Sequence, residues 1–254
     1  MTTPVALMNQ YRNLRIPVAI NDNGAQMSRM GHCSVALRKY FMMNWNDGTE
    51  ERRDYNAVTR GSNSDLWFRT NKNRIRNAAM GKGAPGDYEL AIEWAVRAGK
   101  VTNSNQATLQ RFCDDHLGID CSGFVTNYLI AAGKKSYSDR TVRNTGAASY
   151  YSPQKAVNDA SQIRAGDILV WMRGNSVRRG PGHVAVIESY RPVSSARGNM
   201  RVVEATGSSR ANPKLLDSMY SVEQIIDKGG AVPVMILVAK RFGVSGTRVA
   251  VMRW

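Results

Sequence analysis

The chain has 254 residues, 43% of them hydrophobic, enough to bury a core in one large domain or one domain with an appendage, and too many for a disordered tail. Thirty-five Lys and Arg against 20 Asp and Glu leave a formal charge of +15, which implies long-range attraction to something anionic. Nucleic acid, an acidic membrane surface and an anionic wall polymer would all feel that field, so charge alone selects no chemistry.

The opening MTTPVALMNQYRNLRIPV lacks a basic start followed by a long apolar core. No secretory signal peptide is expected, and the chain reads as cytoplasmic when synthesised. Residues 1–84 form a basic N-terminal region with weak periodicity and turn signals at Asn23-Gly24 and Asp47-Gly48. It holds 13 Lys and Arg against 6 Asp and Glu, whereas the remaining 170 residues hold 22 against 14, so net positive density is about twice as high at the start. His32 and Cys33 lie here with no partner pattern. Trp67 and Phe68 beside Arg69, Lys72, Arg74 and Arg76 combine stacking surface with cationic groups, as a polymer-binding module would. No helix-turn-helix, RRM or zinc-finger spacing accompanies them, so nucleic acid is not the expected partner.

Gly81-Lys82-Gly83-Ala84-Pro85-Gly86 resists both helix and strand and marks a boundary near residue 84. A helix is expected from Tyr88 to Ala98, capped by Asp87 and closed by Gly99. His116 then falls in a loop as an ordinary surface or packing residue, and Cys113 reads as structural. A second helix is expected from Ser122 to about Ala132, with Gly133 as its stop. Strands follow at 167–172, 183–190, 200–205, 232–241 and 247–253, separated by Gly, Pro, Ser and Asn clusters, which predicts an antiparallel meander in an α+β fold. The longest apolar stretch, 231–239, is far short of the ~20 residues that span a bilayer, so no transmembrane segment is expected.

Three cysteines are too few for a disulfide scaffold and leave at least one thiol free. With three histidines and no CxxC, no metal site or other cofactor is expected. The chemistry points instead to Ile119-Asp120-Cys121-Ser122-Gly123-Phe124, which places Cys121 where a helix begins. Orphan amides and the helix dipole there favour thiolate over thiol, while Asp120 or Ser122 can satisfy an amide at the helix start. Further on, Gly166-Asp167-Ile168-Leu169-Val170-Trp171 reads as a turn into a buried strand, and Gly182-His183-Val184-Ala185-Val186-Ile187 puts a histidine at the head of the next. A helix-start cysteine facing a strand histidine is the arrangement thiol catalysis requires.

DCSGFV, GDILVW and GHVAVI, in that order, resemble the NlpC-type family of papain-like cysteine peptidases that cut bacterial cell-wall peptides. The resemblance covers residues 85–254. It implies a papain-like α+β fold, Cys121 as nucleophile, His183 as general base and then acid, and a polar residue on the following strand that orients the imidazole. That position falls on Glu204, where the family usually has His, Asn or Gln; a carboxylate can accept the imidazole N–H. Glu188, an odd number of residues from His183, belongs to the opposite face of a period-2 strand. The family's tyrosine and Gly-Gly pair before the cysteine are absent, leaving the oxyanion to the Cys121 amide, with Tyr88 as a substitute from the preceding helix. Arg173, Arg178 and Arg179 lie in the loop before His183 and would attract substrate carboxylates.

The implied activity is cleavage of an amide or isopeptide bond in peptidoglycan stem peptides through a thioacyl-enzyme, by an endopeptidase or amidase that reaches the wall through a dedicated secretion route. An inhibitor or immunity protein is a further partner such an enzyme would have. The same site would suit an acyltransferase, deamidase or protease acting on a protein or lipid, and a non-enzymatic basic polymer-binding module is the third reading.

Overall fold

The computed structural model describes residues 2–21, 28–60, 65–178, 182–209, 211–227 and 234–254. They fall into two compact units, one of Asn9–Asp120 with Ala211–Lys214 and the other of Met1–Met8, Cys121–Arg210 and Leu215–Trp254. Helix α1 (Pro4–Tyr11) spans the division near the N-terminus. The glycine- and proline-rich segment around residue 84 lies inside the first unit, and the packing divides the chain at Asp120 and Cys121 instead.

The first unit opens with an antiparallel pair, β1 (Leu14–Asn21) and β2 (Ser28–Val35), followed by β3 (Lys39–Tyr40). Helices α2 (Glu50–Thr59), α3 (Leu66–Ala79), α4 (Pro85–Arg97) and α5 (Gln106–His116) come next, and β4 (Gly118–Ile119) pairs in parallel with β3. Thr49, Asp65 and Asn105 each accept an amide at the start of α2, α3 and α5, which is why these polar stretches become helices despite weak periodicity. Asp87 sits at the third position of α4 rather than before it, accepting from the Ala84 amide, with Pro85 opening the helix.

Phe68, packed 4.4 Å from Trp94, is buried, and Trp67 stacks on Trp94 at 6.2 Å under the Arg97 guanidinium. The aromatic pair read as a stacking platform is therefore committed to the packing of this unit. His116 ends α5 rather than lying in a loop, and its Nδ1 is 3.0 Å from Asp54. Lys82 and Asp120 form a 2.6 Å ion pair, both nearly buried.

The second unit carries α6 (Cys121–Ala131) and α7 (Asp139–Asn144), then β5 (Ile168–Arg173), β6 (Ser176–Val177), β7 (Val184–Pro192), β8 (Gly198–Ala205), β9 (Leu215–Asp227), β10 (Met235–Arg241) and β11 (Val244–Met252). The predicted helix and five predicted strands are all present, in a mixed α+β fold. Residues 232 and 233 of the fourth predicted strand, and the Asn23-Gly24 turn, lie outside the described residues. Strands β7 to β11 run as an antiparallel meander; β5 then pairs with β7 on one side and β11 on the other, closing the sheet into a barrel. Strand β9 and the two-residue β6 are the additions; the alternation of β9, Ser218, Tyr220 and Val222 against exposed Met219 and Ser221, hides it from a search for apolar runs.

One parity of each strand fills a common core: Leu169 and Trp171, Ala185 and Ile187, Met200 and Val202, Leu237 and Ala239, Val249 and Val251. The other parity, Val170, Val184, Val186 and Val203, is buried as well, and α6 packs on β7 and β8. Burial on both faces explains the continuous apolar runs of the second and third motifs. It also explains why α6 is buried along Cys121–Leu129.

The Gly-Asp of the second motif is structural. Asp167, fully buried, receives a two-pronged bond from Arg253 (2.9 and 2.8 Å) and accepts from the Arg164 amide. Gly166 has φ +82°, and a Cβ there would meet the Tyr128 hydroxyl at 2.6 Å. Gly166→Ala is expected to cost about 2 kcal/mol or more, combining left-handed strain with that clash, measured as a lowered urea midpoint.

Candidate active site

Cys121 is the first residue of α6 and 5% exposed. His183 immediately precedes β7 and Glu204 is the penultimate residue of β8. The core residues Ala185 and Ile187 share parity with His183, and Met200 and Val202 with Glu204, so both side chains point to the barrel's interior side. Pairing of Val186 with Val203 sets β7 and β8 in register and brings the two ends together.

The imidazole Nε2 lies 2.8 Å from Glu204 Oε2. Burial alone would lift the Glu204 carboxyl, but the hydrogen bond and charge of His183 and the charge of Arg241 outweigh it and hold the group at about 2. A carboxylate only accepts, so Nε2 carries the proton, and Nδ1 is the nitrogen left for Cys121. For His183 itself burial lowers the pKa; hydrogen bonds and negative charge from Cys121 and Glu204 overcome that and raise it to about 9. The cysteine and imidazole are thus in mutual contact.

Glu204 is fully buried and fully engaged. Arg241, the last residue of β10, gives Nη2 to Glu204 Oε2 and Nε to Oε1 at 3.2 Å, and reaches Thr206 Oγ1 at 3.0 Å. The Tyr220 hydroxyl of β9 donates to Oε1 at 3.0 Å; burial and the Glu204 charge keep it protonated. Trp171 meets the His183 ring edge-on at 4.4 Å and faces the Arg241 guanidinium at 5.3 Å. The imidazole is held by a carboxylate at one nitrogen and an indole at its side.

Cys121, His183 and Glu204, the three residues singled out from the sequence, therefore meet. Glu188 lies on the other face, its carboxylate accepting the Val5 amide at 3.0 Å. Tyr88 is placed differently from its expected role: it is fully buried in the first unit, its hydroxyl donating to the Gly118 carbonyl at 2.7 Å, so it offers no surface to a substrate. Asp120 pairs with Lys82, and Ser122 is buried in the first turn of α6. Arg173 and Arg178 are exposed on the loop around β6; the Trp171 carbonyl accepts from Arg178 N, and Trp171 N donates to the His183 carbonyl, so this loop and the imidazole hang from one residue. Arg179 lies outside the described residues.

All three cysteines are unpaired. Burial pushes the Cys113 thiol far up, and its sulfur faces the Ala36 carbonyl. Among the described residues no cluster of His, Cys, Asp and Glu is arranged to hold a metal ion, and no helix is long and apolar enough to cross a membrane.

Arg241, Tyr220 and Trp171 are the site residues that motif reading missed. Only the barrel's register, which brings β9 and β10 to Glu204, reveals the first two; Trp171 stood inside the second motif as an unremarked core residue.

The second unit is thus a closed barrel with a helix-start cysteine beside a strand-end imidazole and a buried carboxylate. Residues 112–206 match the family model of the CHAP domain, a domain found in NlpC/P60-like and amidase peptidoglycan hydrolases. The matched segment runs from within α5 to just beyond β8 and contains Cys121, His183 and Glu204. The match spans all three motifs, and the resemblance drawn from them holds at the level of the CHAP domain. Comparison with curated proteins and with solved structures gave no match.

Proposed function

We propose that the unit beginning at Cys121 is a papain-like, NlpC-type cysteine hydrolase that cuts an amide or isopeptide bond in peptidoglycan stem peptides. The observation that carries this reading is the buried Glu204 carboxylate on Nε2 of His183, which directs Nδ1 to the cysteine.

The thiolate attacks the amide carbonyl, and the oxyanion is met by the Cys121 amide at the open end of α6. His183 gives its Nδ1 proton to the leaving amine as the C–N bond breaks. The neutral imidazole then takes a proton from water, whose oxygen attacks the thioester and releases the acid and the thiolate. Glu204 stays ionised throughout and stabilises the imidazolium. Arg173 and Arg178 supply positive charge at the mouth for substrate carboxylates. A wall substrate lies outside the cytoplasm, so the reading includes delivery by a dedicated route.

The test is turbidity loss of purified peptidoglycan. The wild-type protein is expected to clear it, and Cys121→Ala to lower the rate at least ~10³-fold with an unchanged melting profile. No clearing by wild type, or equal clearing by the variant, refutes the assignment.

A further inference from the structure

Strands β10 and β11 are joined by a two-residue turn, Phe242-Gly243, with Arg241 opposite Val244. Both turn residues have positive φ, +50° and +81°, as a tight hairpin of this kind demands. Gly243 adopts that conformation freely. Phe242 does not: the left-handed region crowds Cβ against the backbone, and Asn, Asp or Gly normally fill such a position. Among the described residues Phe242 is the only non-glycine residue with positive φ.

Burial does not account for the phenylalanine, because it is 42% exposed. Its ring stands 4.4 Å from the Arg241 guanidinium, whose nitrogens hold Glu204 and Thr206. A strained, exposed aromatic thus stands one residue from the group that fixes the partner of His183. Strain of this kind persists where the side chain serves a site rather than the fold.

We propose that Phe242 is a substrate-contacting residue whose ring, beyond the Glu204–Arg241 end of the site, takes a C–H face of the wall substrate, an aliphatic side chain or a sugar ring. The inference rests on the hydrolase reading and names a contact for it. Arg241 is occupied by Glu204 and Thr206, so the contact offered here is apolar and contributes binding rather than proton transfer.

The test compares wild type, Phe242→Asn and Phe242→Tyr on soluble muropeptides and on the same peptides freed of sugar. Asparagine suits the turn, so its melting temperature is expected to hold or rise while KM increases about tenfold at nearly constant kcat. Tyrosine keeps the ring and is expected to stay within about twofold of wild type. A KM increase on both substrates assigns the contact to a peptide side chain, and one confined to muropeptides assigns it to the sugar. Unchanged KM for Phe242→Asn overturns the proposal. So does a joint fall of kcat and melting temperature, which would make Phe242 a mere support for Arg241. Absence of wild-type turnover on both substrates defeats the hydrolase reading itself, a result distinct from either.

Discussion

Glu204→Gln is expected to lower turnover about 10²–10⁴-fold and to move the alkaline limb of the pH–rate profile downward. Glutamine can still accept the Nε2 proton but carries no charge. Burial of His183 then acts with less opposition, and the imidazole no longer stays protonated up to about 9. The sign for the wild type follows from both shifts. His183 is raised from 6.5, so its contribution to stability is complete below about pH 6.5 and lost as pH rises through about 9. Glu204 is lowered from 4.5, so its contribution is present above about pH 4.5 and lost as pH falls through about 2. Wild-type activity should hold from about pH 5 to 8 and decline near 9, with apparent values belonging to the coupled Cys121, His183 and Glu204 cluster. Rates of wall clearing across pH 4–10 are the measurement, and superimposable profiles for the two proteins would remove Glu204 from the mechanism.

Arg241→Met should produce the largest loss of stability, about 3–5 kcal/mol, because it removes the one permanent cation from a fully buried carboxylate and leaves its charge to the His183 imidazolium alone. Of the remaining partners, Tyr220 supplies only a hydrogen bond, and His183 supplies a charge that is shared with Cys121 and lost as pH rises through about 9. The Glu204 pKa then rises, and acid unfolding begins at a higher pH than in wild type. Arg241→Lys keeps the charge but not the two-pronged geometry, so an intermediate loss is expected. Urea titrations at pH 7 and pH 4 read both effects. Equal midpoints for wild type and Arg241→Met would show that the Glu204 charge is balanced elsewhere.

These two residues differ in how legible they were from the sequence. Cys121, His183 and Glu204 each sit at the edge of a short apolar run that becomes α6, β7 or β8, so local pattern places them. Arg241 follows an equally plain strand, yet its partner lies two strands away in the sheet, and only the pairing of β8 with β9 and of β9 with β10 connects them. Parity alone does not settle Glu188, because the register of β7 shifts at that residue, between Ile187 and Ser189; its bond to the Val5 amide is what commits its carboxylate elsewhere. Tyr88 misled because a tyrosine on a helix before the cysteine carries no sign of whether its hydroxyl faces a cleft or a carbonyl. Helices α2 and α3 stayed hidden because few of their residues are buried, so caps such as Thr49 and Asp65 were the stronger signal than hydrophobic spacing.

Closure of β11 onto β5 has a consequence for the order of folding. Val249 pairs with Trp171, whose ring abuts His183, so the strand nearest the imidazole gains its second neighbour from a segment far along the chain. Until β11 docks, β5 has an open sheet edge. Joining contacts so distant in sequence is slow. The surroundings of the imidazole are therefore completed late, after the hairpins of the meander have formed.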